Sequence, residues 1–304
     1  MKAPLKVGVA GLGKMGALHL EKYLKLDGAE AIGFYDSNAL KSRALGERYG
    51  VRAFESLTEL IWEADALSIA TPTVTHYEIA RQALEAGVHV LLEKPMTVME
   101  DEARALMCLA SEQKVVLQVG FVERFRFLAR MRQRNLSSID AIESHRFCLS
   151  PGRELDIDVV SDLMVHDLDL ILSVVGEEPS HISASGQKVT SSLTDIAKAT
   201  LEFANGTVAK LNASRVATKP MRKLNLFSSK EHISIDFLRD DFDALSEQCA
   251  SFIRCIREGC PPVVSAADGL RALKYSNLIR QTIEVADPPV RHKSANSGFL
   301  HVQS

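Results

Sequence analysis

The hexapeptide GLGKMG constrains this chain more than any other stretch, because it directly follows the apolar run KVGVA and opens a helical pattern. Gly11, Gly13 and Gly16 have the spacing of a phosphate-binding turn. The first glycine permits a tight turn, the second admits a pyrophosphate, and the third lets the helix pack on the sheet. The next apolar run, AEAIGFYD, ends in Asp36, 20 residues after Gly16. A carboxylate there can accept hydrogen bonds from an adenosine ribose, so this unit predicts a dinucleotide site.

The charge of Asp36 also bears on which dinucleotide binds. A carboxylate at this position would repel a 2′-phosphate, which favours NAD over NADP. Ser37, Lys41 and Arg43 follow closely and keep NADP open as the alternative.

The rhythm of apolar runs divides the chain into two halves. Up to about Gly120, strand-like runs alternate with amphipathic segments, which predicts a doubly wound parallel sheet, an α/β Rossmann domain. The second half carries alternating strand patterns, two of them joined by Asn205-Gly206, a strong hairpin signal. We therefore expect a C-terminal α+β domain with a largely antiparallel open sheet, closed by helices near 241–258 and 266–286.

These patterns predict a NAD-binding domain over residues 1–120 and a second domain over residues 121–287. The remaining residues, 288–304, begin with two prolines and are polar and aperiodic, so we expect a loosely ordered tail.

Whole-chain composition excludes several functional classes. A net charge of −3 and a pI near 6.3 provide no broad basic surface for nucleic acid or an anionic membrane. No apolar run reaches the roughly 18 to 20 residues that span a bilayer. The five cysteines show neither a CxxC pair nor a secreted framework, so we expect reduced thiols, no metal site and a cytoplasmic protein.

A second chemical feature lies in DVVSDLMVHDLDLILSVV, residues 158–175. At about 100° per residue, Asp162, His166 and Asp169 fall on one narrow stripe of a helix that is otherwise apolar. Such a helix is expected to be buried, and its polar stripe then needs a partner or a cavity. The spacing lets the Asp162 carboxylate lie beside the His166 imidazole and orient it. A satisfied core histidine is the alternative.

The stretch VLLEKPMTV places Lys94 at the carboxyl end of the expected fifth parallel strand, where ligands of open α/β sheets bind. Its ammonium could stabilise an alkoxide that develops as hydride leaves a sugar carbon. Pro95 restricts Lys94 to an extended conformation and allows a cis bond between them. A solvated lysine at a strand end is the alternative.

The segments GLGKMG, IATPTVTHYEIARQALEAGVHVLLEKP and DLMVHDLDL together resemble the Gfo/Idh/MocA family of NAD(P)-dependent sugar and cyclitol dehydrogenases. The resemblance reaches about residue 285. It implies catalytic roles for Lys94, Asp162 and His166, and a second domain that binds substrate and whose open sheet forms oligomer contacts. It also places Thr71, Pro72 and His76 along the cofactor, although His76 could equally be a surface helix residue. The expected cofactor contacts are Gly11, Gly13, Lys14, Met15, Gly16, Asp36, Ser37, Thr71, Pro72, Thr73, His76, Glu93 and Lys94.

Within this family, the segments VLQVGFVERF and PGRELDIDVVSDLMVHDLDLILSVVG resemble the UDP-N-acetylglucosamine 3-dehydrogenases associated with lipid A synthesis. That group shares Met164, where many family members have glycine. The chain departs from it at Phe121, where relatives have histidine, and at Arg126-Phe127, where they have Asn-Pro. These departures leave the sugar open but not the class of chemistry.

The function expected from these features is oxidation of the 3-hydroxyl of UDP-N-acetylglucosamine by NAD, with His166 as base and Lys94 as the alternative base. The resemblance implies a homo-oligomer, a dimer or tetramer, and an aminotransferase that takes the 3-keto product. Guanidinium groups suit a diphosphate, and Arg124, Arg153 and Arg215 are the predicted substrate contacts, with Lys219, Arg222 and Lys223 as weaker candidates. The alternatives are a free-sugar or inositol dehydrogenase, an NAD-dependent glycosidase, and a non-catalytic NAD-binding regulator.

Overall fold

A computed structural model describes residues 3–132, 139–149, 157–239 and 241–286. The apolar runs of the first half form a six-stranded parallel sheet, sheet A, in the order β3-β2-β1-β4-β5-β6. Its strands are β1 Leu5–Ala10, β2 Ala29–Tyr35, β3 Arg52–Ala53, β4 Ala66–Ile69, β5 His89–Leu92 and β6 Leu117–Val119. The helices between them are α1 Lys14–Tyr23, α2 Ala39–Tyr49, α3 Leu57–Glu63, α4 His76–Glu85 and α5 Glu100–Gln113.

The strand order of sheet A confirms the doubly wound fold and locates its crevice. The chain turns back at the β1–β4 boundary, and ligands of such sheets bind outside the carboxyl ends of the strands at that switch point. β1 ends at Ala10, beside Ile69 at the end of β4. The glycine loop and the TPTVTH segment therefore meet at one edge of the sheet.

The second half forms a six-stranded sheet, sheet B, in the order β12-β11-β7-β10-β9-β8. All its neighbouring pairs are antiparallel except β7 and β10, which run parallel. Its strands are β7 Ala141–Phe147, β8 Pro179–Gln187, β9 Ile196–Phe203, β10 Val208–Ser214, β11 Met221–Phe227 and β12 His232–Asp236. The helices of this half are α6 Val122–Met131, α7 Val165–Val175, α8 Ala244–Glu258 and α9 Ala266–Ala286.

Two local predictions in this half are confirmed. Asn205 and Gly206 turn the chain between β9 and β10, and Gly206 takes a φ of 90° that its missing Cβ permits. The two closing helices, α8 and α9, lie where the periodicity places them.

The closing helices pack on both halves of the chain. Phe252 and Ile253 of α8 join the apolar cluster of β1 and α1. Helix α9 contributes Leu273 to the core under sheet A and Ile279 to the core under sheet B. The division at residue 120 thus stays a prediction, and the predicted tail, residues 288–304, lies outside the described residues.

None of the helices in the described ranges is long and apolar enough to cross a bilayer. Over the same ranges, no three histidine, cysteine or acidic side chains converge as metal ligands would.

Candidate active site

The glycine loop has the geometry that a dinucleotide requires. Gly11 has a φ of 83°, and a Cβ there would lie 2.7 Å from Thr71 Cγ2, so only glycine fits. A Cβ on Gly16 would collide with the carbonyl of Gly11, which explains the third glycine. The Cβ position of Gly13 instead faces open space. Gly13 is the N-cap of α1 and makes no side-chain hydrogen bond to the first turn of the helix. The backbone N–H groups of Lys14 and Met15 at this helix N-terminus are therefore suited to bind a phosphate.

Asp36 at the end of β2 is tied to this loop. Its Oδ2 accepts from Leu12 N at 2.8 Å, and its Oδ1 accepts from Asn38 N at 3.0 Å. The exposed Ser37 follows it. Lys41 donates to Leu12 O at 2.8 Å, which brings a cation to the same loop. A carboxylate fixed in this way keeps lone pairs that can accept hydrogen bonds from an adenosine ribose.

The segment after β4 carries further expected cofactor contacts, and His76 links it to the segment that follows β5. Thr71 and Pro72 lead into a short 3₁₀ turn, Thr73–Thr75, and His76 begins α4. His76 is only 1% exposed, so the reading of it as a surface residue is wrong. Its Nδ1 lies 2.9 Å from Pro95 O and its Nε2 lies 2.9 Å from Thr71 O. Burial lowers the pKa of His76, and a neutral ring donates to one of these carbonyls.

The Glu93-Lys94 dipeptide follows β5, and its glutamate contacts a histidine of α1. Glu93 is 8% exposed, and its Oε1 lies 3.1 Å from Nε2 of the fully buried His19 on α1. The other ring nitrogen of His19 lies 2.6 Å from Ser68 Oγ. A neutral ring satisfies both contacts when Nε2–H donates to Glu93 and the serine hydroxyl donates to Nδ1. The Lys94-Pro95 bond is cis, as the sequence allowed.

Lys94 meets the second half of the chain at Asp162. Its Nζ donates to Asp162 O at 2.7 Å and to Asp162 Oδ1 at 3.2 Å. The side chain of Lys94 is 16% exposed and that of Asp162 is 33% exposed, so both border open space. The structure therefore brings the amine of the first half against the helix that carries His166.

The expected hydrogen bond between Asp162 and His166 is absent, although both residues are described. The reason is local: Val160–Met164 forms a π-helical turn, and regular α-helix begins only at Val165. A π turn closes five residues apart, so a 3.6-residue wheel misplaces side chains across it. Asp162 consequently faces Lys94, while Asp169 pairs with Arg124. The predicted polar stripe is divided between two partners.

His166 lies among cations and has an unpartnered nitrogen. Among the described residues, its Nδ1 has no hydrogen-bond partner. The Phe121 ring packs edge-on against it at 6.0 Å between centroids, so the departure at position 121 puts an apolar group at the site. Burial, followed by the charges of Lys94, Arg146 and Arg222, lowers the pKa of His166 well below its usual value. The imidazole is therefore neutral near pH 7 and can accept a proton.

The predicted substrate arginines occupy other positions. Arg124 is 7% exposed and makes a two-pronged ion pair with Asp169, at 3.0 Å from Nε and 2.6 Å from Nη2. Arg215 is 2% exposed and donates to Asp195 at 2.7 Å and to Ile157 O at 2.6 Å. Both guanidinium groups thus brace the interior, which is contrary to their expected contact with substrate. Arg153 lies outside the described residues.

A buried charge cluster behind His166 escaped the sequence analysis. Arg146 of β7 is 3% exposed, donates to Asp167 at 2.8 Å from Nη2, and lies 3.4 Å from Glu123 Oε1. Burial raises the pKa of Asp167 while Arg146 opposes the rise. Period-two alternation in AIESHRF places Arg146 on the inward face with Ile142 and Ser144, and that pattern could have identified it.

Comparison with known proteins identifies related families and structures. Residues 5–121 match the oxidoreductase family with an NAD-binding Rossmann fold, and residues 150–234 match the Gfo/Idh/MocA C-terminal domain. The UDP-N-acetylglucosamine 3-dehydrogenase of Acidithiobacillus ferrooxidans is 34% identical, over 92% of this chain and 97% of that protein. Its crystal structure covers 93% of this chain and 99% of its own, with a TM-score of 0.89.

More distant relatives act on cyclitols. The myo-inositol 2-dehydrogenase of Thermotoga maritima is 25% identical, over 92% of this chain and 96% of that protein. A scyllo-inositol dehydrogenase from Lactobacillus casei, solved with NAD(H) and scyllo-inositol, shares the fold at 19% identity and a TM-score of 0.84, with 93% of this chain and 98% of that chain covered. Identity along nearly the whole chain, the two matched domains and the glycine loop lead to one conclusion: the chain belongs to the Gfo/Idh/MocA family and is an NAD-dependent oxidoreductase.

Proposed function

We propose that this enzyme oxidises the 3-hydroxyl of UDP-N-acetylglucosamine to the 3-keto sugar nucleotide, with NAD as oxidant. The observation that carries the chemistry is the contact of Lys94 with Asp162 beside a neutral His166, at the strand ends where the glycine loop opens. The proposed substrate follows from the relative that shares 34% identity over 92% of this chain.

In this proposal His166 accepts the proton of the substrate hydroxyl. Its lowered pKa keeps the ring neutral, and a neutral imidazole has one nitrogen that accepts a proton. Bound NAD, which the glycine loop and Asp36 would hold, would supply the acceptor for the hydride. Loss of the proton leaves negative charge on the substrate oxygen, which a nearby cation stabilises.

Lys94 is the proposed cation. An ammonium has three donors, and two of them are directed to the carbonyl and carboxylate of Asp162. The third is available for the substrate oxygen. The proposed role of Asp162 is therefore to position Lys94, because its carboxylate contacts that amine and not the imidazole. Lys94 as base would instead have to lose a proton while held by two acceptors.

A free-sugar or inositol dehydrogenase is the second candidate function, supported by the inositol dehydrogenases at 25% identity. Phe121 also supports it, because an apolar ring beside His166 changes the wall that would contact the sugar.

Sheet B supports the proposed homo-oligomer. Its inner face packs on the apolar cluster of α7 and α9. The other face carries half-buried side chains such as Phe227, whose ring stacks on the exposed His232 with 4.4 Å between the ring centroids. An aminotransferase remains the proposed partner that consumes a 3-keto product.

One plate of assays tests the proposal. NAD and NADP are each combined with UDP-sugars and with inositols, and nicotinamide absorbance is followed. We expect reduction of NAD with UDP-N-acetylglucosamine. Turnover of inositols with no response to any UDP-sugar would contradict the proposed substrate and favour the second candidate. Failure of every substrate, in protein that binds NAD, would instead favour a non-catalytic regulator.

A further inference from the structure

Two arginines lie opposite each other on neighbouring strands of sheet B, near His166. β7 and β11 run antiparallel with Arg146 directly opposite Arg222. Arg146 shares its strand face with buried Ile142, and Arg222 shares its strand face with buried Leu224. Like charges directly opposite each other destabilise a sheet. This pair therefore requires negative charge from elsewhere.

Among the described residues, Arg146 has more carboxylate partners than Arg222. Arg146 is buried and binds Asp167, and it also lies 3.4 Å from Glu123 Oε1. Arg222 Nη1 lies 3.4 Å from the same Glu123 oxygen, and this is the one ion pair that Arg222 makes within the described ranges. Its side chain is 44% exposed. Arg222 thus shares one carboxylate with a better-placed neighbour and presents donors to open space.

The position of Arg222 connects it with the reacting groups. Asp167, the partner of Arg146, is next to His166 on α7. The charge of Arg222 contributes, after burial, Lys94 and Arg146, to the lowered pKa of His166. A protonated His166 would add to this positive cluster. An anion bound there would offset it and ease the proton transfer.

We propose that Arg222 binds a phosphate group of the substrate at the end of sheet B that borders His166. The inference rests on the proposed function, because it assumes a substrate with a diphosphate. A guanidinium fork matches phosphate oxygens and binds them through charge-assisted hydrogen bonds. Arg222 then supplies the phosphate contact that the buried Arg124 and Arg215 do not.

The test uses UDP as the probe and the variant Arg222→Gln. Lys230→Gln is the matched control, since Lys230 is exposed in the turn after β11, at the far end of the strand from Arg222. Calorimetry should show UDP binding weakened by about tenfold or more in Arg222→Gln, with NAD binding and thermal melting unchanged. Arg222→Lys, which keeps the charge but loses the fork, should fall between the two.

The pH profile provides a second readout. Removing the Arg222 charge raises the pKa of His166, so the acidic limb of kcat/KM should move to higher pH in Arg222→Gln and stay in place in Lys230→Gln. Wild-type affinity for UDP in Arg222→Gln, or an equal loss in the control, would overturn the inference and leave the proposed function standing. Weaker UDP binding with an unmoved limb would overturn the placement beside His166. Failure of the wild-type protein to bind UDP would overturn the proposed substrate, and this inference with it.

Discussion

Two histidines approach the Glu93-Lys94 dipeptide from different elements, and their surroundings differ in kind. His19, on α1, is fully buried and has a partner at each ring nitrogen. His166, on α7, is only partly buried, has an unpartnered Nδ1, and lies among the charges of Lys94, Arg146 and Arg222. His19 thus completes a hydrogen-bond network, whereas His166 has a buried ring nitrogen with no partner among the described residues.

The difference shows that burial alone does not identify the candidate base. His19 fixes Glu93, and a satisfied network has no capacity to exchange a proton with a substrate. His166 is kept neutral by its environment and retains an acceptor. Gly120 supports the first network, because a Cβ there would lie 2.7 Å from Glu93 Oε1. The His19 network fixes Glu93, the chain neighbour of Lys94, whereas His166 is the proposed base for the substrate oxygen.

The largest expected effect is on turnover, when His166 is replaced. His166→Asn should lower kcat by about 10²- to 10⁴-fold, because it removes the proposed general base, while the Kd for NAD stays the same. Steady-state kinetics and NAD titration measure the two quantities. His181→Asn is the matched control, since His181 is exposed on β8. Wild-type turnover in His166→Asn would remove His166 from the chemistry.

A smaller effect is expected on stability, when His19 is replaced. His19→Ala leaves Glu93 and Ser68 buried without their shared partner, which should reduce the free energy of unfolding by about 1–3 kcal/mol. Urea unfolding measures it. In a double-mutant cycle, Ser68→Ala should cost less in the His19→Ala background than in the wild type, since the shared hydrogen bond is already lost. Strictly additive losses would mean that the 2.6 Å contact does not contribute.

The features that sequence predicts well are those encoded locally. The glycine loop, Asp36, the Asn205-Gly206 hairpin and the two closing helices each follow from residues within one or two turns of chain. The parallel sheet follows from the alternation of apolar runs with amphipathic helices. Lys94 is found because it lies at a strand end, a position that the topology makes chemically useful.

The features that sequence misses depend on distant partners or on one hydrogen-bond register. Arg124 and Arg215 are assigned to substrate because their acidic partners, Asp169 and Asp195, are 45 and 20 residues away. Asp162 is assigned to the imidazole because nothing in the local pattern distinguishes a π turn from α-helix. His19 lies on α1, and its role emerges only when β4 and β5 bring Ser68 and Glu93 to it.

The smallest effect concerns the pH dependence of stability. The unfolded chain protonates its histidines near pH 6.5, whereas the folded pKa of His166 is well below its usual value. The unfolded state therefore binds the proton first, and stability falls as the pH drops below about 6.5, by at most about 1.4 kcal/mol per pH unit for each such histidine. His76 adds a slope of the same sign, since its pKa is also lowered.

Other groups change the slope in the opposite direction, so the comparison must be made between variants. Burial raises the pKa of Asp169 to about 6, which makes the folded state the stronger proton binder and adds stability as the pH falls through that value. His166→Asn removes one descending contribution and leaves Asp169 and His76 unchanged. Its unfolding free energy should therefore fall less steeply than that of wild type between pH 6.5 and 5, while His181→Asn should follow wild type. Equal slopes in all three proteins would mean that neither burial nor the surrounding cations lower the pKa of His166 in the folded state.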